Sequence, residues 1–284
     1  MATRLPVLNE QAPIGGHEKG FAKTLRTDNW WIGPLVTLLG FSAFIVYTTW
    51  AGLQGQFYYA EPYLSPLYSP VLFTNYGMPG IQGAAPLKHA LFGGWPSWLP
   101  SFVPASPAIF ILAFPGAFRF TCYYYRKAYY RAFAGSPPGC AVGPVAQTRT
   151  YHGERLFMVF QNLHRYALYF ALLFVVILSY DAVLAYFKDG KFGIGVGSIV
   201  LTINPILIAS YTLGCHSLRH LIGGHDDCMS CGQATVKYGA WKKASWLNAR
   251  HMQFAWASLI WVGLTDLYVR LVAMGVIKDL NTWG

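Results

Sequence analysis

WWIGPLVTLLGFSAFIVYTTW, Trp30 to Trp50, carries no ionised side chain, and the uncharged stretch around it runs from Asp28 to Glu61. At 1.5 Å of rise per residue such a helix crosses a hydrocarbon core of ~30 Å. The whole chain agrees with this stretch. Its 284 residues are 54% hydrophobic and 11% charged, against roughly 25% charged in a soluble domain. A globule cannot be covered with ionised groups from such a supply. Disorder is excluded by the same composition, and a nucleic-acid binder is argued against. The excess of basic residues fits the flanks of membrane spans instead.

Four further apolar runs follow: Phe102 to Phe118, Leu163 to Tyr180, Gly195 to Gly214, and Met252 to about Met274. The expected fold is an all-α integral membrane protein, a five-transmembrane-helix bundle. Pro34 falls in a first helical turn, where proline is tolerated. Pro115 and Pro205 lie deeper and are expected to kink their helices.

Orientation follows from the positive-inside rule. With the N-terminus in the cytoplasm, 16 of the 21 Lys and Arg residues lie inside, and Lys88, Lys188, Lys191, Arg270 and Lys278 lie outside. Residues 1–28 read as a polar cytoplasmic arm without a signal peptide. Residues 29–284 read as one membrane-anchor domain. The long outer-side loop, Ala51 to Ser101, is rich in Pro, Gly and Tyr, includes PYLSPLYSP (Pro62 to Pro70), and reads as an ordered cap. Asp266 and Arg270 stand i, i+4 and can pair on one helix face, against neighbouring helices or the cap.

This orientation places all five cysteines and seven of the eight histidines on the inner side, leaving only His89 outside. One metal or redox centre near the inner surface follows, rather than a chain of centres across the bilayer. The densest stretch is GCHSLRHLIGGHDDCMSCG, Gly214 to Gly232. His216 and His220 share a helix face. Gly223 and Gly224 let the chain turn back, which brings up the Cys228-x-x-Cys231 pair. Two imidazoles and two thiolates suit a tetrahedral zinc site or a Rieske-type [2Fe–2S] cluster. His225 and Cys215 are further candidates. The plain alternative is a reduced-thiol loop with ordinary solvated histidines.

His164 in QNLHRY and His251 in LNARHM each open a span at the depth where the fourth closes. They can hold one haem b, bond a quinone carbonyl and relay a proton, or simply bond backbone carbonyls. The string CYYYRKAYYRAF, Cys122 to Phe133, reads as an aromatic belt with cationic anchors, or as a basic docking surface for a soluble subunit.

The strings PYLSPLYSP, CYYYRKAYYRAF, SPPGCAV, QNLHRY, GCHSLRH and LNARHMQFAWASL…LTDLYVRL resemble the cytochrome b-like membrane-anchor subunit of one class of bacterial succinate dehydrogenase, that of mycobacteria and other actinobacteria. The resemblance covers most of the chain from about Trp30 onward. It implies a multi-pass anchor in the bacterial cell membrane that docks flavoprotein and iron–sulfur subunits on the cytoplasmic face. It implies electron transfer to menaquinone through a Rieske-like [2Fe–2S] centre in place of haem. His216, His220, Cys228 and Cys231 are the expected ligands, with Arg219, His164 and His251 lining the quinone pocket. One departure stands out: where the family pattern reads CHSCRH, Leu218 replaces the second cysteine. The thiolates then come from Cys228 and Cys231, or one comes from Cys140 or Cys215. The chain has no flavin fingerprint and cannot oxidise succinate alone. A zinc-stabilised membrane protein without redox activity is the competing class, and the absence of an HExxH motif argues against its hydrolase form.

Overall fold

The computed structural model describes residues 20–145, 162–224, 227–228, 231 and 235–283. His225 and the arm up to residue 19 lie outside them. Two compact units are formed, one from residues 1–40 and 126–153, the other from 41–125 and 154–284.

In the first unit the described part of the N-terminal arm is tied to the segment around Cys140. Ala22 N–H donates to Gly143 O at 3.0 Å, and Gly143 N–H donates to Lys23 O at 2.8 Å. Thr24 Oγ1 donates to Ala141 O at 2.7 Å, and Arg26 donates to Cys140 O at 2.9 Å while pairing with Asp28.

Helices dominate the second unit. In chain order the described helices are α1 (Ile32–Gln54), α2 (Ala113–Phe120), α3 (Tyr123–Ala128), α4 (His164–Leu184), α5 (Val196–Leu213), α6 (His216–Gly223), α7 (Thr235–Ala249) and α8 (His251–Ala273). Four of them, α1, α4, α5 and α8, are long and apolar enough to cross a membrane. They correspond to the first, third, fourth and fifth predicted runs.

The second run differs from its expectation. It begins with a 3-10 turn, Pro107–Phe110, and only then enters α2. Pro100, Pro104 and Pro107 explain the late start, since each lacks the N–H that helix continuation needs. Pro115 consequently falls in the first turn of α2, where no intrahelical donor is lost, so it opens the helix rather than kinking it. Pro205 does lie inside α5, which runs through it.

α5 is central: it packs against α4 and α8, and α2 packs against α4. The buried faces include many small residues, among them Ala167 and Ala171 of α4, Ser198 of α5, and Ala255, Ser258 and Thr265 of α8. Small side chains let membrane helices approach closely, and dispersion then holds them.

The loop between α1 and α2 forms the expected ordered cap, with Tyr58, Tyr59, Tyr63 and Tyr68 buried while Tyr76, Phe92 and Trp98 stay exposed. Strands β1 (Tyr59–Ala60) and β2 (Tyr63–Leu64) pair as a short antiparallel hairpin. Tyr58 stacks on Tyr68 with ring centroids 4.2 Å apart. Tyr68 Oη donates to Ala51 O at 2.6 Å, and Tyr58 Oη donates to Asn75 Oδ1 at 2.8 Å. Gly55 turns the chain out of α1 with φ +63°, and a Cβ there would strike Asn75 Nδ2 at 2.9 Å, so only glycine fits.

Beyond α4, strands β3 (Phe187–Lys188) and β4 (Lys191–Phe192) flank Asp189-Gly190, both at positive φ, as an Asp-Gly hairpin turn requires. The C-terminal segment returns to the start of α5. Asp279 accepts hydrogen bonds from Tyr63 Oη at 2.7 Å, from Gly197 N–H at 3.0 Å and from Tyr268 Oη. Burial alone would raise this carboxyl, but the bonds from Tyr268, Tyr63 and Gly197 outweigh it and hold the group below its ordinary value. A lowered carboxylate contributes stability that is full above its unfolded value of ~3.9 and is lost as pH falls through the folded one. Asp279→Asn is therefore expected to destabilise the chain by about 1–3 kcal/mol at neutral pH and to flatten the acid limb of its stability. Thermal melting between pH 3 and 7 checks this; an unchanged acid limb contradicts it.

Candidate functional site

The end of the second unit opposite the cap gathers residues from four breaks in the helical structure. α2 stops at Thr121, whose N–H still bonds Ala117 O, and Cys122 follows before α3 begins. α5 stops at Gly214, and Cys215 is the extended residue that opens α6. His164 is the first residue of α4 and His251 the first of α8. Cys122, Cys215 and His251 are each 2% exposed. These groups border a cavity of about 180 Å³ that is also lined by His216 and Ser217.

His164 is fixed on three sides. Its ring stacks on Phe118 with centroids 4.6 Å apart and planes 8° apart. Nδ1 lies 2.8 Å from Thr121 Oγ1, and Nε2 lies 3.1 Å from Cys215 Sγ. With its single proton given to Ala117 O at 2.8 Å, Thr121 Oγ1 can accept from His164 Nδ1–H. The tautomer inferred from this network leaves the Nε2 lone pair facing Cys215, the arrangement typical of a metal-binding imidazole. His251 Nε2 lies 3.8 Å from Cys122 Sγ, and its ring stacks on Tyr211 at 4.8 Å. Burial pushes the Cys215 thiol above its ordinary value.

The expected ligand set divides. His164 and His251 come together, as their positions at helix starts implied, but with Cys122 and Cys215. Of the HxxxH pair, His216 lines the small cavity and His220 does not. Cys228 and Cys231 are joined to each other in a disulfide. Arg219 lies against the Trp241 ring at 4.9 Å and is not among the lining residues. Among the described residues no three His, Cys, Asp or Glu side chains surround a single point as one metal ion requires. The arrangement is instead two His–Cys pairs.

A second cavity, about 280 Å³, lies between α1, α2, α4, α5 and α8. Its lining is mostly apolar, including Leu112, Phe174, Leu178 and Val262, and it reaches Phe118 and Tyr211, which also carry the rings of His164 and His251. Thr212, fully buried, borders it with Oγ1 lacking a hydrogen-bond partner. Arg119 also lines it. Its guanidinium donates to Tyr125 Oη at 2.7 Å, Ala255 O at 3.2 Å and Ser258 Oγ at 3.0 Å. It also lies 4.9 Å from the Tyr211 ring centre. No carboxylate pairs with it among the described residues.

Residues 32–275 match the family model described as actinobacterial succinate dehydrogenase subunit SdhC. A solved structure, the Mycobacterium smegmatis Sdh1 complex in the apo form, contains a chain that is 44% identical, with a TM-score of 0.79 over 92% of this chain and 94% of that one. A search of curated proteins gives no match. A helical chain with four membrane-length helices, matched to this family over most of its length, belongs to the actinobacterial SdhC family and is a membrane-anchor subunit of succinate dehydrogenase.

Proposed function

We propose that this anchor passes electrons from the iron–sulfur subunit to menaquinone, using a Rieske-like [2Fe–2S] centre held by His164, His251, Cys122 and Cys215. The observation that carries the reading is the donor set: two imidazoles and two thiols, from four separate chain breaks, buried at one end of the bundle. A Rieske-type cluster would take both imidazoles on one iron and both thiolates on the other, so binding it would re-sort the His164–Cys215 and His251–Cys122 contacts around the one small cavity that all four groups line. Thr121 supports the fit by setting the His164 tautomer. Bound there, the cluster would supply a one-electron station, with a potential raised by imidazole ligation above that of an all-cysteine cluster.

The remaining roles belong to the chain. Phe118 and Tyr211 hold the imidazole rings and separate this centre from the larger cavity, whose apolar walls suit a lipophilic acceptor. The flavoprotein and iron–sulfur subunits supply electrons from the cytoplasmic face, where the N-terminus and 16 of the 21 basic residues lie. The interrupted second run, Phe102 to Phe118, serves as the fifth crossing of the bacterial cell membrane.

Iron, zinc and acid-labile sulfide analysis of the purified complex tests the centre. Cys215→Ser is expected to lose the anchor's iron and sulfide, while Cys228→Ser keeps both. The reverse pattern moves the centre to His216, His220, Cys228 and Cys231. Zinc without sulfide supports the non-redox class, and a Soret band that depends on His164 supports haem b.

A further inference from the structure

A half-buried guanidinium with no carboxylate partner among the described residues, lining a mostly apolar cavity at the inner end of the helices, needs an explanation. Charged groups in spans are expensive, and when retained they pair or mark a ligand pathway. Arg119 is positioned as though for use. Two of its nitrogens are fixed by Tyr125, Ala255 and Ser258, and its face lies over Tyr211. A guanidinium has five N–H donors, and these three bonds leave Nε–H and one Nη2 N–H without a protein acceptor among the described residues. The acceptors it has are neutral, so its positive charge is not cancelled.

We infer that Arg119 is a catalytic residue of quinone reduction, binding one carbonyl oxygen of the quinone head and stabilising the negative charge that reduction places there. This rests on the proposed function, since it assumes that the larger cavity takes the quinone. The balance is complete: succinate gives two electrons and two protons on becoming fumarate in the partner subunits, and the quinone takes two electrons and two protons to become the quinol. Arg119 transfers no proton. Its contribution is electrostatic, and a fixed donor acting in a low-dielectric site is worth far more than in water.

The test uses the assembled complex with a short-tailed naphthoquinone as acceptor. Rates are normalised to succinate–dye reduction by the partner subunits, and quinone affinity is measured separately by calorimetric titration. Arg119→Gln is expected to lower kcat roughly 10²- to 10³-fold, the range for loss of one such donor, while Kd changes less than tenfold. Arg119→Lys is expected to recover at least a tenth of the lost rate. It should also introduce an alkaline decline in rate, because a lysine there can lose its proton where arginine cannot. A purely structural role produces neither the recovery nor the new pH limb, and their joint absence overturns the inference. Gly116→Leu separates this from failure of the cavity reading. Gly116 lines the cavity, and a Cβ there meets no atom within 4 Å, so the leucine should obstruct quinone and raise Kd more than tenfold. If Gly116→Leu blocks binding while Arg119→Gln keeps its kcat within threefold, only the role of Arg119 is lost. If Gly116→Leu binds quinone normally, the cavity reading fails. Should the Gln variant not assemble, the pH profile of the Lys variant decides alone.

Discussion

Asp266→Ala is expected to destabilise the anchor by about 3–5 kcal/mol, the penalty for removing one partner of a buried ion pair. Asp266 is 0% exposed and Arg270 is 2% exposed, one turn apart in a membrane-spanning helix. The carboxylate accepts from Tyr47 Oη at 2.6 Å and from Ser65 Oγ, as well as pairing with Arg270 at 3.5 Å. Its loss strips three donors at once and leaves the guanidinium uncompensated. Arg270 retains Gln54 Oε1 at 2.7 Å, the Gln56 carbonyl at 2.9 Å and the face of Trp50, which places the expected cost at the lower end of the range. Replacing the pair together, Asp266→Leu with Arg270→Met, is expected to cost less than Asp266→Ala alone, because no orphan charge remains. Thermal unfolding of the detergent-solubilised complex measures both. A double variant as unstable as the single would show that the hydroxyl bonds to Ser65 and Tyr47, rather than the charge pair, hold the cap.

That pair shows how far the sequence alone could be read. The i, i+4 spacing and the intramembrane depth of Asp266 and Arg270 were enough to predict pairing on one face, and the cap was named as a candidate contact. Ser65 and Tyr47 could not be identified, because they come from a loop and a helix more than 200 positions away, and no periodicity links them. The four long helices were legible for a simple reason: each is a long, mostly apolar run, and hydrocarbon leaves the backbone no alternative to a helix. The second run misled because hydropathy counts prolines as neutral. Pro100, Pro104 and Pro107 deny the helix its start until Ala113, and Thr121-Cys122 interrupts it again.

The same interruption hid one of the four candidate ligands. Cys122 sits in a string that reads as continuous aromatic belt, so nothing local marks it as distinct from the tyrosines around it. Cys215 was noted, but the CxxC downstream drew more weight because its cysteines lie within a dozen residues of HxxxH. Proximity in sequence favoured a local site. The bundle instead converges chain breaks, and it puts Cys122 near His251 and Cys215 near His164 from 129 and 51 positions apart. The histidines were legible because each opens a span, and an imidazole at a span end is rare without a function. Arg119 was visible only as one positive charge among many, since its lack of a carboxylate partner among the described residues is a property of the fold.

His164→Ala is expected to abolish electron transfer from succinate to quinone, by at least 10²-fold, while succinate–dye reduction by the partner subunits continues. The magnitude follows from comparison with a gentler change. Thr121→Val removes only the acceptor that orients His164 through Nδ1. Loss of such an outer partner typically lowers metal affinity or activity 10- to 100-fold, and loss of the ligand itself must exceed that. The two variants should also differ in kind. Thr121→Val is expected to keep the anchor's electron paramagnetic resonance signal with shifted g values, because the imidazole remains but its basicity and tilt change. His164→Ala should lose that signal together with the iron. Thr121→Val must not be explained by packing alone, and Thr121→Ser controls for this: it keeps the Oγ that bonds both Ala117 O and His164 and should restore the wild-type spectrum. If His164→Ala retains both iron and signal, His164 is not a ligand, and its stacking on Phe118 beside the larger cavity makes quinone contact the better account of its place.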